Sequence, residues 1–139
     1  MSFLLDTNVV SEWTKARPNP EVVAWLAEAD EDSIFLSVVT LAELRYGIER
    51  MAPGHRRARL GAWLSDELPA RFEARILPID EAVAEAWGSI VARREAAGRP
   101  IGSMDAFVAA TAEVHQLTLV TRNEADFEGC DVTVLNPFS

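Results

Sequence analysis

The sequence predicts an α/β protein, with a mainly parallel sheet of four to five strands covered by helices on both faces, three layers in all. Short apolar runs alternate with longer segments whose apolar residues recur at helical spacing. Some of the helical segments come in pairs between one strand and the next, as expected when the chain crosses over a parallel sheet. A length of 139 residues suits one domain and is too short for two of ordinary size, so residues 1–139 read as a single unit.

In chain order, residues 2–5 form the first buried strand, and "TNVVSEWTK" then carries helical spacing until two prolines in "ARPNP" break it. "PEVVAWLAEAD" is a helix with proline in its first turn and Val22, Val23, Leu26 and Ala29 on one face. "SIFLS" is the second strand, and "VVTLAELRYGIERM" the helix after it. "GHRRARLGAWLSDELPARF" continues as a helix that fades near Pro69. A third strand, "RILPI", leads into a long helix over 80–98, with Val83, Ala84, Trp87, Ile90 and Val91 as its stripe and Gly98 as its stop. "SMDAFVAATAEVHQ" is the next helix, "LTLVT" the fourth strand and "VTVLNP" the fifth.

The composition excludes several classes of protein. A single cysteine, Cys130, forbids an internal disulfide and the Cys-rich zinc patterns, which suits a reducing cytoplasm. Apolar stretches are interrupted by charge before the roughly 20 residues a membrane span needs, and no basic segment precedes the first apolar run, so no export or membrane anchoring is expected. With 22 acidic against 13 basic residues, a net charge of −9 argues against a general duplex-DNA binder and permits a cation site. Lys15 is the only lysine, so nearly all positive charge is arginine, the side chain suited to bidentate pairing with phosphate.

In open parallel sheets, ligands sit beyond the carboxyl ends of the strands. Asp6 follows the first strand directly; by itself it reads equally as a helix N-cap or Asx-turn. Glu43 follows Thr40 at capping-box spacing, and Asp105 lies in a first helical turn with Ser103 as N-cap, where the helix dipole favours negative charge. Asp126 sits in the turn after the fourth strand, where surface acids are common. These local accounts do not explain why three acids begin helices near strand ends and a fourth follows another strand. Two unit charges about 4 Å apart repel by roughly 4 kcal/mol at an effective dielectric of about 20, so such a set needs compensation, which a hard divalent cation supplies. Oxygen ligands alone favour Mg²⁺ or Mn²⁺ over zinc, and neither histidine, His55 or His115, reads as a ligand. A serine-triad hydrolase lacks its Gly-x-Ser-x-Gly turn.

Four segments in this order, "LLDTNVVSE", "TLAELRYGIE", "SMDAFVAATA" and "LVTRNEADF", resemble the PIN-domain ribonucleases, and among them the VapC/FitB-like toxins of type II toxin–antitoxin systems. The likeness covers nearly the whole chain. It implies a PIN-like domain and maps Asp6, Glu43 and Asp105 onto the family's acidic metal site. Some relatives carry aspartate where this chain has Asn123, so the fourth position falls either to Asp126 or to Asn123 as a neutral ligand or water holder. The implied activity is Mg²⁺-dependent endoribonuclease cleavage, by water attacking in line and leaving a 3′-hydroxyl and a 5′-phosphate. Thr7, Asn8, Ser103 and Thr121 are placed to hold carboxylates or waters around that site.

Arg122, Arg45 and the "HRRAR" run are candidates for phosphate contact, although the run reads more readily as a solvated helix face. Single strands and exposed loops are the usual targets of RNA readout, so a structured RNA such as tRNA is a suitable substrate. The resemblance also implies a cognate antitoxin covering the acidic groove and a homodimer; Trp13, Trp25, Trp63 and Trp87 are candidates either for its interface or for the core. Two rival readings are weaker. A catalytically inactive PIN-like metal-binding or interaction module would lack acids that are present here, and an aspartyl-nucleophile phosphoryl-transfer enzyme or receiver would need a second aspartate after "DTN" and a lysine late in the chain.

Overall fold

A computed structural model describes residues 1–138. Five strands form one parallel sheet: β1 Phe3–Leu5, β2 Ile34–Ser37, β3 Ile76–Leu77, β4 Thr118–Val120 and β5 Val134–Leu135, in the order β3-β2-β1-β4-β5. β1 is central, pairing Phe3 with Ile34 on one side and with Thr118 on the other. The order reverses on either side of β1, and this places the opening between the ends of β1 and β4 at a topological switch point.

The central strands are mostly apolar, with only Ser37 and Thr118 polar at their ends, because successive side chains enter opposite cores. Leu5, Leu36 and Val120 pack on one face with Val9, Val10, Val22, Leu64, Leu68 and Phe72. Leu4, Val39 and Leu119 pack on the other with Val83, Ile90, Ala106, Ala109 and Phe127. The first face is covered by α1 Thr7–Val10, α2 Pro20–Glu28, α4 His55–Ala62 and α5 Leu68–Arg71, the second by α6 Glu81–Ala96 and α7 Ser103–His115. α3, Val38–Glu49, leaves β2 directly and contributes to both cores, Leu44 and Ile48 to the first and Val39 to the second. Among the described residues no helix is long and apolar enough to cross a membrane.

The expected strands and helices are all present, with local differences. The segment after Asp6 divides into α1 and a 3₁₀ turn, Ser11–Thr14. α4 runs on through a π-helical turn, Trp63–Glu67, into α5, so the helix does not fade at Pro69. Pro69 lacks an N–H, and the wider turn just before it re-aims the backbone so that the helix continues to Arg71. Val23 is 46% exposed, and the face of α2 that packs inward uses Val22, Trp25 and Leu26 instead. The expected Thr40–Glu43 capping box is absent: Ser37 is the N-cap of α3, its hydroxyl accepting the Val39 N–H at 3.0 Å, and Thr40 is buried within the helix. Gly102, not Ser103, is the N-cap of α7.

Candidate functional site

The carboxyl end of β1 delivers Asp6 into the junction with α1, where it is 5% exposed. One carboxylate oxygen caps α1 by accepting the Thr7 N–H at 2.8 Å; the other accepts the Thr121 hydroxyl at 2.8 Å and the Asn8 amide at 3.3 Å. The capping and site readings of Asp6 therefore coexist in one side chain. Thr121, the residue after β4, also accepts from the Asn8 amide at 3.2 Å and the Asn123 N–H at 3.0 Å. The Asn8 side-chain Oδ1 accepts the Arg122 N–H at 3.1 Å, so Asn8 ties the turn after β1 to the turn after β4.

Glu43 projects from α3 and accepts the Thr7 hydroxyl at 2.6 Å, while that hydroxyl lies 3.2 Å from Thr40 Oγ1. The partner of Glu43 is thus a residue 36 positions away, not its own helix terminus. Asp105 is half-buried in the first turn of α7, and Asp126 is exposed in the 3₁₀ turn Glu124–Phe127. Ser103 offers its backbone carbonyl to the Trp87 indole N–H at 3.1 Å.

The electrostatics link all four acids. Burial, followed by the charges of Asp6, Asp126 and Glu43, pushes the Asp105 carboxyl up to about 6. Burial also raises Asp6; the Thr121 hydroxyl and Thr7 N–H oppose that rise, and Glu43 and Asp126 add to it. Of the two candidates for the fourth position, Asp126 brings charge to the cluster, whereas Asn123 lends its N–H to Thr121. Among the described residues no three or more His, Cys, Asp or Glu side chains stand close enough together to hold a metal ion as they are. The four acids lie near enough to one another for the charges of Asp6, Asp126 and Glu43 to act on Asp105, and a cation would offset that repulsion. The all-oxygen donor set and the raised carboxyls fit a hard divalent cation.

The arginines fall in different places. Arg122 lies over the Phe138 ring at 4.1 Å beside the site; the Glu12 carboxyl is kept low against the upward push of burial by Lys15 and the Asn19 N–H first, and by the charge of Arg122 last. Arg45 is turned to Ser65 at 2.9 Å and Glu49 at 3.8 Å, and Arg57 is tied to the Ile48 carbonyl at 3.3 Å. Arg56, the first arginine of the "HRRAR" run, lines a cleft of about 230 Å³ with Thr7, Ser11, Glu43 and Trp63. The four tryptophans have contacts within the chain: Trp13, Trp25 and Trp63 border the first core, and Trp87 stacks on Phe107 with ring centroids 5.2 Å apart.

The comparisons with known proteins agree with this architecture. The PIN domain model matches residues 3–131, and the chain belongs to the PIN-domain family. Within that family it is similar to VapC- and FitB-type toxins. It is 40% identical to Toxin FitB of Neisseria gonorrhoeae, the match covering 98% of each chain, and 35% identical to the VapC ribonuclease Y4jK of Sinorhizobium fredii over 98% of this chain and 97% of that one. Among solved structures, FitAcB from Neisseria gonorrhoeae superposes with a TM-score of 0.92 at 40% identity, covering 97% of both chains. A toxin–antitoxin complex from Klebsiella pneumoniae superposes with a TM-score of 0.72 at 28% identity, covering 99% of both. PIN-domain ribonucleases are in general dependent on a divalent metal.

Proposed function

We propose that residues 1–139 act as one PIN domain and that the chain is an endoribonuclease toxin, restrained in the cell by a cognate protein antitoxin. The observation that carries this reading is the set of four acids from four separate elements, Asp6, Glu43, Asp105 and Asp126, at a single sheet edge, where the charges of Glu43 and Asp126 act on the half-buried carboxyl of Asp105 and the buried one of Asp6. These side chains would hold the cation, with Mg²⁺ as the metal of the cell and Mn²⁺ as its substitute. When bound, such an ion supplies Lewis-acid charge and lowers the pKa of water. The chain's own residues do the positioning. Thr7 N–H and Thr121 Oγ1 fix the two oxygens of Asp6, and Thr7 Oγ1 fixes Glu43, so both carboxylates meet a scissile phosphate already oriented.

Arg122 and Arg56 are the arginines placed beside this edge to receive flanking phosphates, and a single-stranded or loop region of a structured RNA such as tRNA fits a site open on the sheet's rim. The likeness to FitB and to a toxin–antitoxin complex supports an antitoxin partner. In this reading the toxin is a homodimer acting in the cytoplasm. The test is cleavage of a mixed RNA pool by the antitoxin-free chain in Mg²⁺, Mn²⁺ or EDTA, native against Asp105→Asn. Cuts bearing 5′-phosphates, lost in EDTA and in the variant, are expected. Equal, metal-independent background from both folded proteins would overturn the nuclease reading.

A further inference from the structure

Arg94, on α6, is 6% exposed, and among the described residues its guanidinium pairs with no carboxylate. A buried cation is tolerated only when its donors are satisfied. Here Nε donates to the Arg99 carbonyl at 2.7 Å, and Nη1 donates to the Asp126 carbonyl at 3.1 Å and lies 3.5 Å from Cys130 Sγ. Two of these acceptors belong to the stretch 126–130, so the interactions that keep the guanidinium buried also fix the turn carrying Asp126.

The backbone is shaped around this contact. Gly98, at φ +72°, turns the chain back after α6 so that the Arg99 N–H meets the Arg94 carbonyl at 2.8 Å. Gly129 has φ +81°, and a Cβ there would stand 3.7 Å from Arg94 Cδ. Arg99 adds an outer strap to the same segment, 2.8 Å from Glu128. Above the turn, the Asp126 side chain faces Asp6 and Asp105 closely enough to raise both. An apolar residue would fill the space under the turn without holding it, and a lysine lacks the fork that reaches carbonyls on both sides.

We propose that Arg94 is a positioning residue of the metal centre, acting through Asp126 by clamping the 124–130 turn from beneath. The inference rests on the metal-dependent reading of the acids given above. The test is calorimetric titration of Mn²⁺ into the full chain for the native protein, Arg94→Lys, Arg94→Met, Asp126→Asn, Arg94→Lys/Asp126→Asn and Asp105→Asn. Arg94→Lys is expected to weaken Mn²⁺ binding on the order of 10- to 100-fold, as loss of a group supporting a ligand does. In the Asp126→Asn background the same change should have almost no further effect, a coupling that a general loss of stability would not produce. Arg94→Met should match Arg94→Lys; should it fail to fold, the lysine variant, which keeps the charge and one donor, decides. Unchanged Mn²⁺ affinity in a folded Arg94→Lys, or the same loss with and without Asp126, overturns the proposal. Absence of Mn²⁺ binding by the native chain, or binding indifferent to Asp105→Asn, would instead overturn the metal reading itself.

Discussion

Replacing Asp105 with asparagine should make the metal-free protein more stable while abolishing its cleavage of RNA. The folded protein holds the Asp105 proton to about pH 6, whereas its ordinary value is 3.8. Between those values the folded state binds more protons than the unfolded chain, so stability falls as pH rises, and the full penalty is present above about pH 6. A rise of that size corresponds to about 3 kcal/mol. Asp105 is half-exposed, and solvent screening brings the figure to about 1–2 kcal/mol. An asparagine carries no charge for burial or for Asp6, Asp126 and Glu43 to oppose, so urea denaturation in EDTA at pH 7.5 should show the variant more stable by about that amount. The melting temperature should rise by about 3–8 °C. The advantage should shrink as pH is lowered toward 4, where the native carboxyl is protonated. A variant no more stable than the native chain at pH 7.5, or one with the same advantage at both pH values, would refute the electrostatic account of the cluster.

Other perturbations separate the site from its scaffold. Thr121→Val removes the hydroxyl that holds Asp6 at 2.8 Å and accepts from Asn8 and Asn123, and Mn²⁺ affinity measured by calorimetry should fall about 10-fold or more. Ser37→Ala deletes the N-cap of α3 and should cost about 1 kcal/mol in urea denaturation, with metal affinity retained because Glu43 is held by Thr7. Phe72→Ala empties a fully buried position against Leu68 and Trp13, and should cost about 3–5 kcal/mol in the same assay at any pH.

The sequence by itself determined the class of fold and singled out the acids as candidates. Strands apolar on both faces, separated by helical segments, leave few arrangements other than a covered parallel sheet, because their side chains alternate between two cores and both need helices. Asp6 and Asp105 do stand at helix starts beyond strand ends, whereas Glu43 lies in the second turn of α3 and not at its start. Tertiary structure decided what local spacing misread. Thr40 and Glu43 have capping-box spacing, yet Ser37 caps the helix and Glu43 bonds to Thr7, since a hydrogen bond forms with whichever partner the fold brings into reach. It also set the charge of Asp126 near Asp105, on a turn whose Asp126 carbonyl accepts from a buried arginine 32 residues earlier in the chain. Periodicity and capping are short-range properties, legible along one segment. Which charges share an edge, and what holds them there, depends on contacts between segments far apart in sequence, which only the packed sheet supplies.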